Sequence, residues 1–235
     1  MGASFTVNGA MLRADATGAL FWPEQSLLVV ADLHFEKGSH FARKGQFLPP
    51  YDTRDTLDRL ARVLQRFSPR RVVCLGDSFH DGDAATRLAD GDAERLRRFT
   101  KAHDWIWVAG NHDPAPPEGL GGRVLAELAE GRLVLRHQPG DQSRGEICGH
   151  FHPKATVPTR GRAITGRCFV TDGTRLILPA FGAYAGGLDV LAPAICGLFG
   201  RANFRVLLIN GERVHLFARA SLVRAAPVPL NQLTQ

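Results

Sequence analysis

SLLVVADLH, residues 26–34, is a run of β-branched and aliphatic residues that stops abruptly on an aspartate and a histidine. An uninterrupted apolar run of this length, bounded by polar residues, predicts a strand buried on both faces rather than a half-exposed one. The residues after it, DTRDTLDRLARVLQRF (52–67), carry Leu57, Leu60, Ala61, Leu64 and Phe67 at helical spacing, with acids in the first turn. They predict an amphipathic helix. RRVVCLGD (70–77) predicts a second strand, DAERLRRFTKAH (92–103) a second helix and WIWVAGNHD (105–113) a third strand. GRLVLRHQP (131–139) and GEICGHFHP (145–153) repeat the pattern of a strand ending on polar residues. Later, FVTDGTRLILPAFG (169–182) is strand-rich, and FRVLLINGERVHLF (204–217) places Asn210-Gly211 between two apolar runs, the favoured hairpin turn. Strand–helix alternation early and strands late predict an α/β sandwich, with two packed sheets and helices outside.

The totals restrict function less than the motifs do. A chain of 235 residues can bury a substantial core, and 44% apolar with 22% charged residues is ordinary for a globular protein. One domain over residues 1–224 and a flexible proline-containing tail over 225–235 are expected. No apolar run approaches a membrane span and the start lacks a secretory pattern, so the expected location is the cytoplasm. Cys74, Cys148, Cys168 and Cys196 form no CxxC pair, which argues against a zinc knuckle, and Cys74 and Cys148 read as buried strand residues. The formal charge of +6 favours an anionic partner, but the arginines are dispersed and only four basic residues are lysines. The charge is weak support for a polyanionic substrate.

The chemistry gathers just past the strands, where α/β proteins assemble their sites. ADLH offers Asp32 and His34; LGDSFHD offers Asp77, His80 and Asp81; GNHD offers Asn111, His112 and Asp113; LRHQP offers His137; GHFHP offers His150 and His152. Taken singly, each is an ordinary turn or surface histidine. Together they supply carboxylate, amide and imidazole donors suited to manganese, iron or zinc, without the thiolates of a structural zinc site. Two such ions form a clamp for in-line displacement at phosphorus.

DLH, GD, GNHD, a separate His and GHxH, in that order over residues 32–152, resemble the calcineurin-like metallophosphoesterase superfamily. The resemblance implies an αββα sandwich and a two-metal site. Asp32, His34, Asp77 and His152 would hold one ion; Asp77 would bridge, and Asn111, His137 and His150 would complete the second. Metal-activated hydroxide would attack phosphorus, with His112 as general acid. Many members place an orienting aspartate three residues after the bridging one. Here His80 stands there and Asp81 follows, which leaves two readings: Asp81 as the orienting carboxylate, or His80 facing substrate. Lys37 reads either as a phosphate contact or as a solvated helix residue.

ADLHFEKG, LGDSFHD, ICGHFHPKA and LPAFGAYAGGLDV together resemble the bacterial ligase-associated DNA damage response endonuclease family. That implies a manganese-favouring phosphodiesterase acting on DNA in repair, associated with an ATP-dependent DNA ligase, a helicase and a nuclease. The alternative is a hydrolase of cyclic nucleotides or nucleotides, which would use the same clamp. A non-catalytic metal-binding scaffold is disfavoured because His112 and every ligand are present. Segment 178–191 carries no ligand and reads as a core turn with tight backbone near the site. The sequence assigns no oligomeric state.

Overall fold

Leu27–Ala31 is buried at every position, and its side chains alternate between two cores: Leu27, Val29 and Ala31 on one side, Leu28 and Val30 on the other. This two-sided burial explains why the strand reads as a continuous apolar run. It is the fourth strand of a computed structural model that describes residues 2–46, 48–113, 119–140, 144–200 and 203–224. The expected tail, 225–235, lies outside the described residues.

The first sheet runs in chain order: β1 (Ala3–Val7), β2 (Ala10–Ala14), β3 (Leu20–Trp22), β4 (Leu27–Ala31), β5 (Arg71–Leu75), β6 (Asp104–Val108) and β7 (Arg123–Leu125). Neighbours from β1 to β4 are antiparallel, and those from β4 to β7 are parallel. The parallel crossovers carry the helices: α1 (Lys37–Arg43) and α2 (Asp52–Phe67) after β4, then α3 (Ala84–Arg87) and α4 (Asp90–Ala102) after β5. The second sheet contains β8 (Glu127–Glu130), β9 (Leu133–Arg136), β10 (Glu146–Cys148), β11 (Lys154–Pro158), β12 (Ala163–Thr171), β13 (Arg175–Ile177), β14 (Arg205–Asn210) and β15 (Arg213–Ala218). Its spatial order is β15-β14-β12-β13-β10-β9-β8, with β11 paired to β12. A short helix, α5 (Pro193–Cys196), follows β13.

Three apolar clusters define the layers. Val29, Leu75, Ile106 and Val108 of the first sheet meet Leu135, Ile147, Phe169 and Leu207 of the second. Leu57, Leu60, Val63 and Leu64 of α2 and Leu96 of α4 cover the outer face of the first sheet, against Leu28, Val30, Val72 and Trp105. Ile195 of α5, with Val190 and Phe199, packs on the outer face of the second. The architecture is therefore the expected αββα sandwich. Helix α2 has the expected limits, though Val63 is buried where Ala61 is only half-buried, and Phe67 stacks on Phe21 at 4.6 Å. Truncating one of these buried leucines to alanine costs about 2–5 kcal/mol. Cys74 and Cys148 are buried strand residues. No helix among the described residues is long and apolar enough to cross a membrane.

Segment 178–182 runs along the end of β4. The Phe181 N–H donates to the Ala31 carbonyl at 2.8 Å and the Gly182 N–H to the Asp32 carbonyl at 3.1 Å. Arg167 donates to the Ala180 carbonyl at 2.7 Å, and Arg59 to that of Phe181. The segment is a core turn that braces the first ligand loop from behind.

Candidate metal centre

Parallel pairing of β4 with β5 aligns Ala31 with Leu75, so the two strands release their chains side by side. Backbone hydrogen bonds then zip the loops: Asp32 N–H to Gly76 O (3.2 Å), His34 N–H to Asp77 O (3.0 Å) and Phe35 N–H to Ser78 O (2.9 Å). Asn111 follows β6. From the opposite sheet, His137 follows β9, while His150 and His152 follow β10, which is parallel to β9. The carboxyl ends of strands from both sheets converge on one place.

The backbone is strained there. Asp32 (φ 53°), His34 (47°), Asp77 (44°), His150 (71°) and His152 (47°) all occupy the left-handed region, and they are five of the nine non-glycine residues among those described that do so. This conformation costs an L-residue about 1–2 kcal/mol. Its concentration at one point marks a backbone held to aim side chains rather than to maximise stability.

Two donor groups result. Asp32, His34 and His152 form one; Asp77, His137 and His150 form the other, and within each group the ligand atoms lie within 4.8 Å of one another. In the first, His34 Nε2 and His152 Nε2 are 3.2 Å apart, and His152 Nε2 is 3.4 Å from Asp32 Oδ1. In the second, His137 Nε2 is 3.4 Å from Asp77 Oδ2, 2.9 Å from Asn111 Oδ1 and 3.3 Å from His150 Nδ1. His137 Nδ1 also approaches Asp32 Oδ1 at 3.7 Å, so the groups adjoin. All seven residues expected to be ligands are therefore brought together.

The electrostatics suit cations. Asp32 and Asp77 are buried, and among the described residues neither has a lysine or arginine ion pair. Burial, reinforced by the neighbouring His152, lowers His34 to about 2, which keeps its lone pair available. His150 is lowered by burial and by His137. Burial opposes charge on both partners of the Asp77–His137 pair and is the largest single influence, but their hydrogen bond, added to backbone hydrogen bonds and opposite charges nearby, holds the carboxyl low and the imidazole high. The Asp77 carboxylate is also held by the His112 N–H (2.9 Å). Convergent imidazoles and buried carboxylates without a lysine or arginine partner are what two divalent ions require.

Glycines leave room for this packing. A Cβ on Gly149 would lie 2.7 Å from Asp32 Oδ2, and one on Gly110 would meet Asp77 and Asp113.

Around the donors stand the remaining residues. His112 is exposed, with its ring 5.6 Å from that of His34 and stacked on that of His80 at 5.5 Å. Its Nδ1 lies 3.1 Å from the His80 carbonyl oxygen. The Asp81 carboxylate is directed elsewhere, to His40 Nδ1 (2.6 Å) and to both terminal nitrogens of Arg87. The His112 ring thus meets the backbone of His80, not Asp81. Lys37 opens α1 half-buried, and burial lowers its ammonium. Asp113, given no role on sequence grounds, is buried and accepts the Phe79 N–H at 3.0 Å. Burial pushes its carboxyl up to about 7. His40 also carried no sequence signal, because its partner Asp81 is distant in the chain.

A family model described as calcineurin-like phosphoesterase matches residues 26–158, more than half of the chain. The chain belongs to the calcineurin-like phosphoesterase family. The matched segment contains every donor described above. Among solved structures, the Pseudomonas putida nuclease MPE is similar at 29% identity and a TM-score of 0.69, covering 92% of this chain and 100% of its own. The phosphoesterase YfcE from E. coli is more distant, at 16% identity and a TM-score of 0.42, covering 82% of this chain and 98% of its own. A comparison with curated protein sequences gives no match. Family membership, the two Asp/His groups and the likeness to a nuclease over nearly the whole chain support a metal-dependent phosphodiesterase.

Proposed function

We propose that the protein is a two-metal, manganese-favouring endonuclease that cuts DNA phosphodiesters. The observation that carries this reading is the pair of adjoining donor groups, with His112 beside them, in a chain similar to a nuclease. Asp32, His34, Asp77 and His152 would hold one ion; Asp77, Asn111, His137 and His150 would hold the other, with Asp77 shared. When bound, such ions neutralise a phosphodiester and acidify water. The strained loops fix the donors before substrate arrives, so little reorganisation remains during reaction.

His112 serves as general acid. The His80 carbonyl accepts from its Nδ1, which orients the ring and leaves Nε2 to give its proton to the departing oxygen. That backbone contact takes the orienting part that Asp81 does not supply. The reading extends to cytoplasmic DNA repair beside an ATP-dependent DNA ligase, a helicase and a nuclease, on the strength of the motifs from ADLHFEKG to LPAFGAYAGGLDV.

The test uses metal-stripped protein, restored with manganese, on covalently closed circular DNA. Nicked or linear product from the wild type and none from His112→Ala is expected. An intact circle alongside hydrolysis of a chromogenic diester would remove DNA as the substrate class.

A further inference from the structure

Two surface pockets, one lined by donor residues and one set further out, differ in charge. One, of about 300 Å³, is lined by Asn111, Glu127, Arg136, His137 and Gln138. Its arginine is already paired, to Glu127 at 2.9 Å and Glu146 at 3.7 Å. The other, of about 420 Å³, lies between the C-terminal end of α1 and the turn after β5, and is lined by His40, Arg43, Lys44, Asp81, Gly82 and Asp83. Here Arg43 and Lys44 are exposed and form no ion pair among the described residues. The Asp81 carboxylate in its wall is neutralised by Arg87 and bound by His40, which leaves Asp83 as the opposing charge at the rim.

This second pocket is joined to the reaction centre by rings. His40 meets His80 edge-on at 4.6 Å, His80 stacks on His112 at 5.5 Å, and His80 lies 5.5 Å from His34. A strand whose scissile phosphate lies at the donors and that leaves past His80 towards α1 meets the free cations Arg43 and Lys44, whereas Arg136 in the other pocket is already paired. The position of Arg43 and Lys44 near a helix C-terminus also favours cations, but that does not use their charged heads, which are free for phosphate. Lys37, at the other end of α1, lies between this pocket and the donors in chain order.

We propose that the α1 pocket is a subsite for the phosphodiester backbone flanking the cleavage point, with Arg43 and Lys44 contacting phosphates and the Asp81–His40–Arg87 cluster forming its rigid wall. This inference rests on the nuclease reading above, and names where that substrate lies. Contacts of this kind carry no base sequence and weaken with salt.

The test compares wild type with Arg43→Gln/Lys44→Gln, both loaded with manganese, on circular DNA and on bis-p-nitrophenyl phosphate. For the double variant we expect a KM for DNA raised roughly ten-fold and a log–log salt dependence shallower by about 1.8, as two lost phosphate contacts on duplex DNA require. Turnover of the small diester should stay at the wild-type level, since it has no flanking phosphate. Wild-type behaviour of the variant on DNA overturns the subsite and leaves the nuclease reading intact. An equal loss on both substrates also overturns it, because the residues then act through the fold. A wild type that hydrolyses the small diester but never cuts DNA removes the nuclease reading, and the subsite with it.

Discussion

Replacing Gly149 by alanine tests whether the first donor group is held as tightly as the structure shows. The new methyl carbon would lie 2.7 Å from Asp32 Oδ2, 3.0 Å from Ala31 Cβ and 3.3 Å from the Leu75 carbonyl oxygen. Ordinary contact begins near 3.4 Å, so the carboxylate must retreat by about 0.7 Å. It has little freedom, because Asp32 is fully buried and its oxygens accept the His150 N–H at 3.1 and 3.3 Å. Metal sites tolerate about 0.2 Å in ligand distance, and a misplacement near 1 Å costs on the order of a hundred-fold in rate. The variant is therefore expected to lose ten- to a hundred-fold in kcat/KM on a chromogenic diester, by about that estimate, and to bind less than its full metal complement. Overpacking should also lower stability by about 1–3 kcal/mol. Gly186→Ala is the control, since a Cβ there meets nothing within 4 Å. Diester kinetics, metal analysis and thermal unfolding would be measured on both. Wild-type kcat/KM and metal content in Gly149→Ala would refute the reasoning.

Further outcomes follow from the same geometry. His112→Ala should lower diester turnover by about 10²–10⁴-fold while metal content stays near wild type; unchanged turnover would remove His112 from the mechanism. Chelation followed by manganese should show a rise in Tm on reloading, with about 2.7 kcal/mol gained when free metal is a hundred times Kd; an unchanged Tm would speak against metal in this buried site. Asp113 has its native pKa raised to about 7, above an unfolded value near 4, so the native state holds the proton longer. Stability of metal-stripped protein should therefore fall as pH rises from about 4 to 7, and Asp113→Asn should flatten that slope by on the order of 2–4 kcal/mol. Parallel pH profiles for the two proteins would contradict it.

Much of this was readable from the sequence, for physical reasons. The parallel strands are buried on both faces, so β4 and β5 appear as unbroken apolar runs, and α2 has a long amphipathic period. The ligand loops were visible because each follows such a strand directly. The same cues left gaps. The β1–β2 hairpin turns at Asn8-Gly9, the signal recognised at Asn210-Gly211, yet its residues alternate between buried and exposed and gave no apolar run. Helix α1 is only seven residues and begins after Glu36 in the left-handed region. It is held by the tertiary bond from the Gly38 N–H to Asp52 Oδ2 at 2.9 Å, which local propensity cannot reveal. The destination of Asp81 depended likewise on His40, 41 residues away. Near the site, short-range spacing located the ligands, while the long-range contacts that orient them had to be seen in three dimensions.

These loops are arranged to hold two ions. Anomalous diffraction from crystals of manganese-loaded protein, collected at the manganese edge, tests it most directly. Two peaks about 3.5–4 Å apart are expected, one against Asp32, His34 and His152, the other against Asp77, His137 and His150. A single peak, or none at these residues, would contradict it.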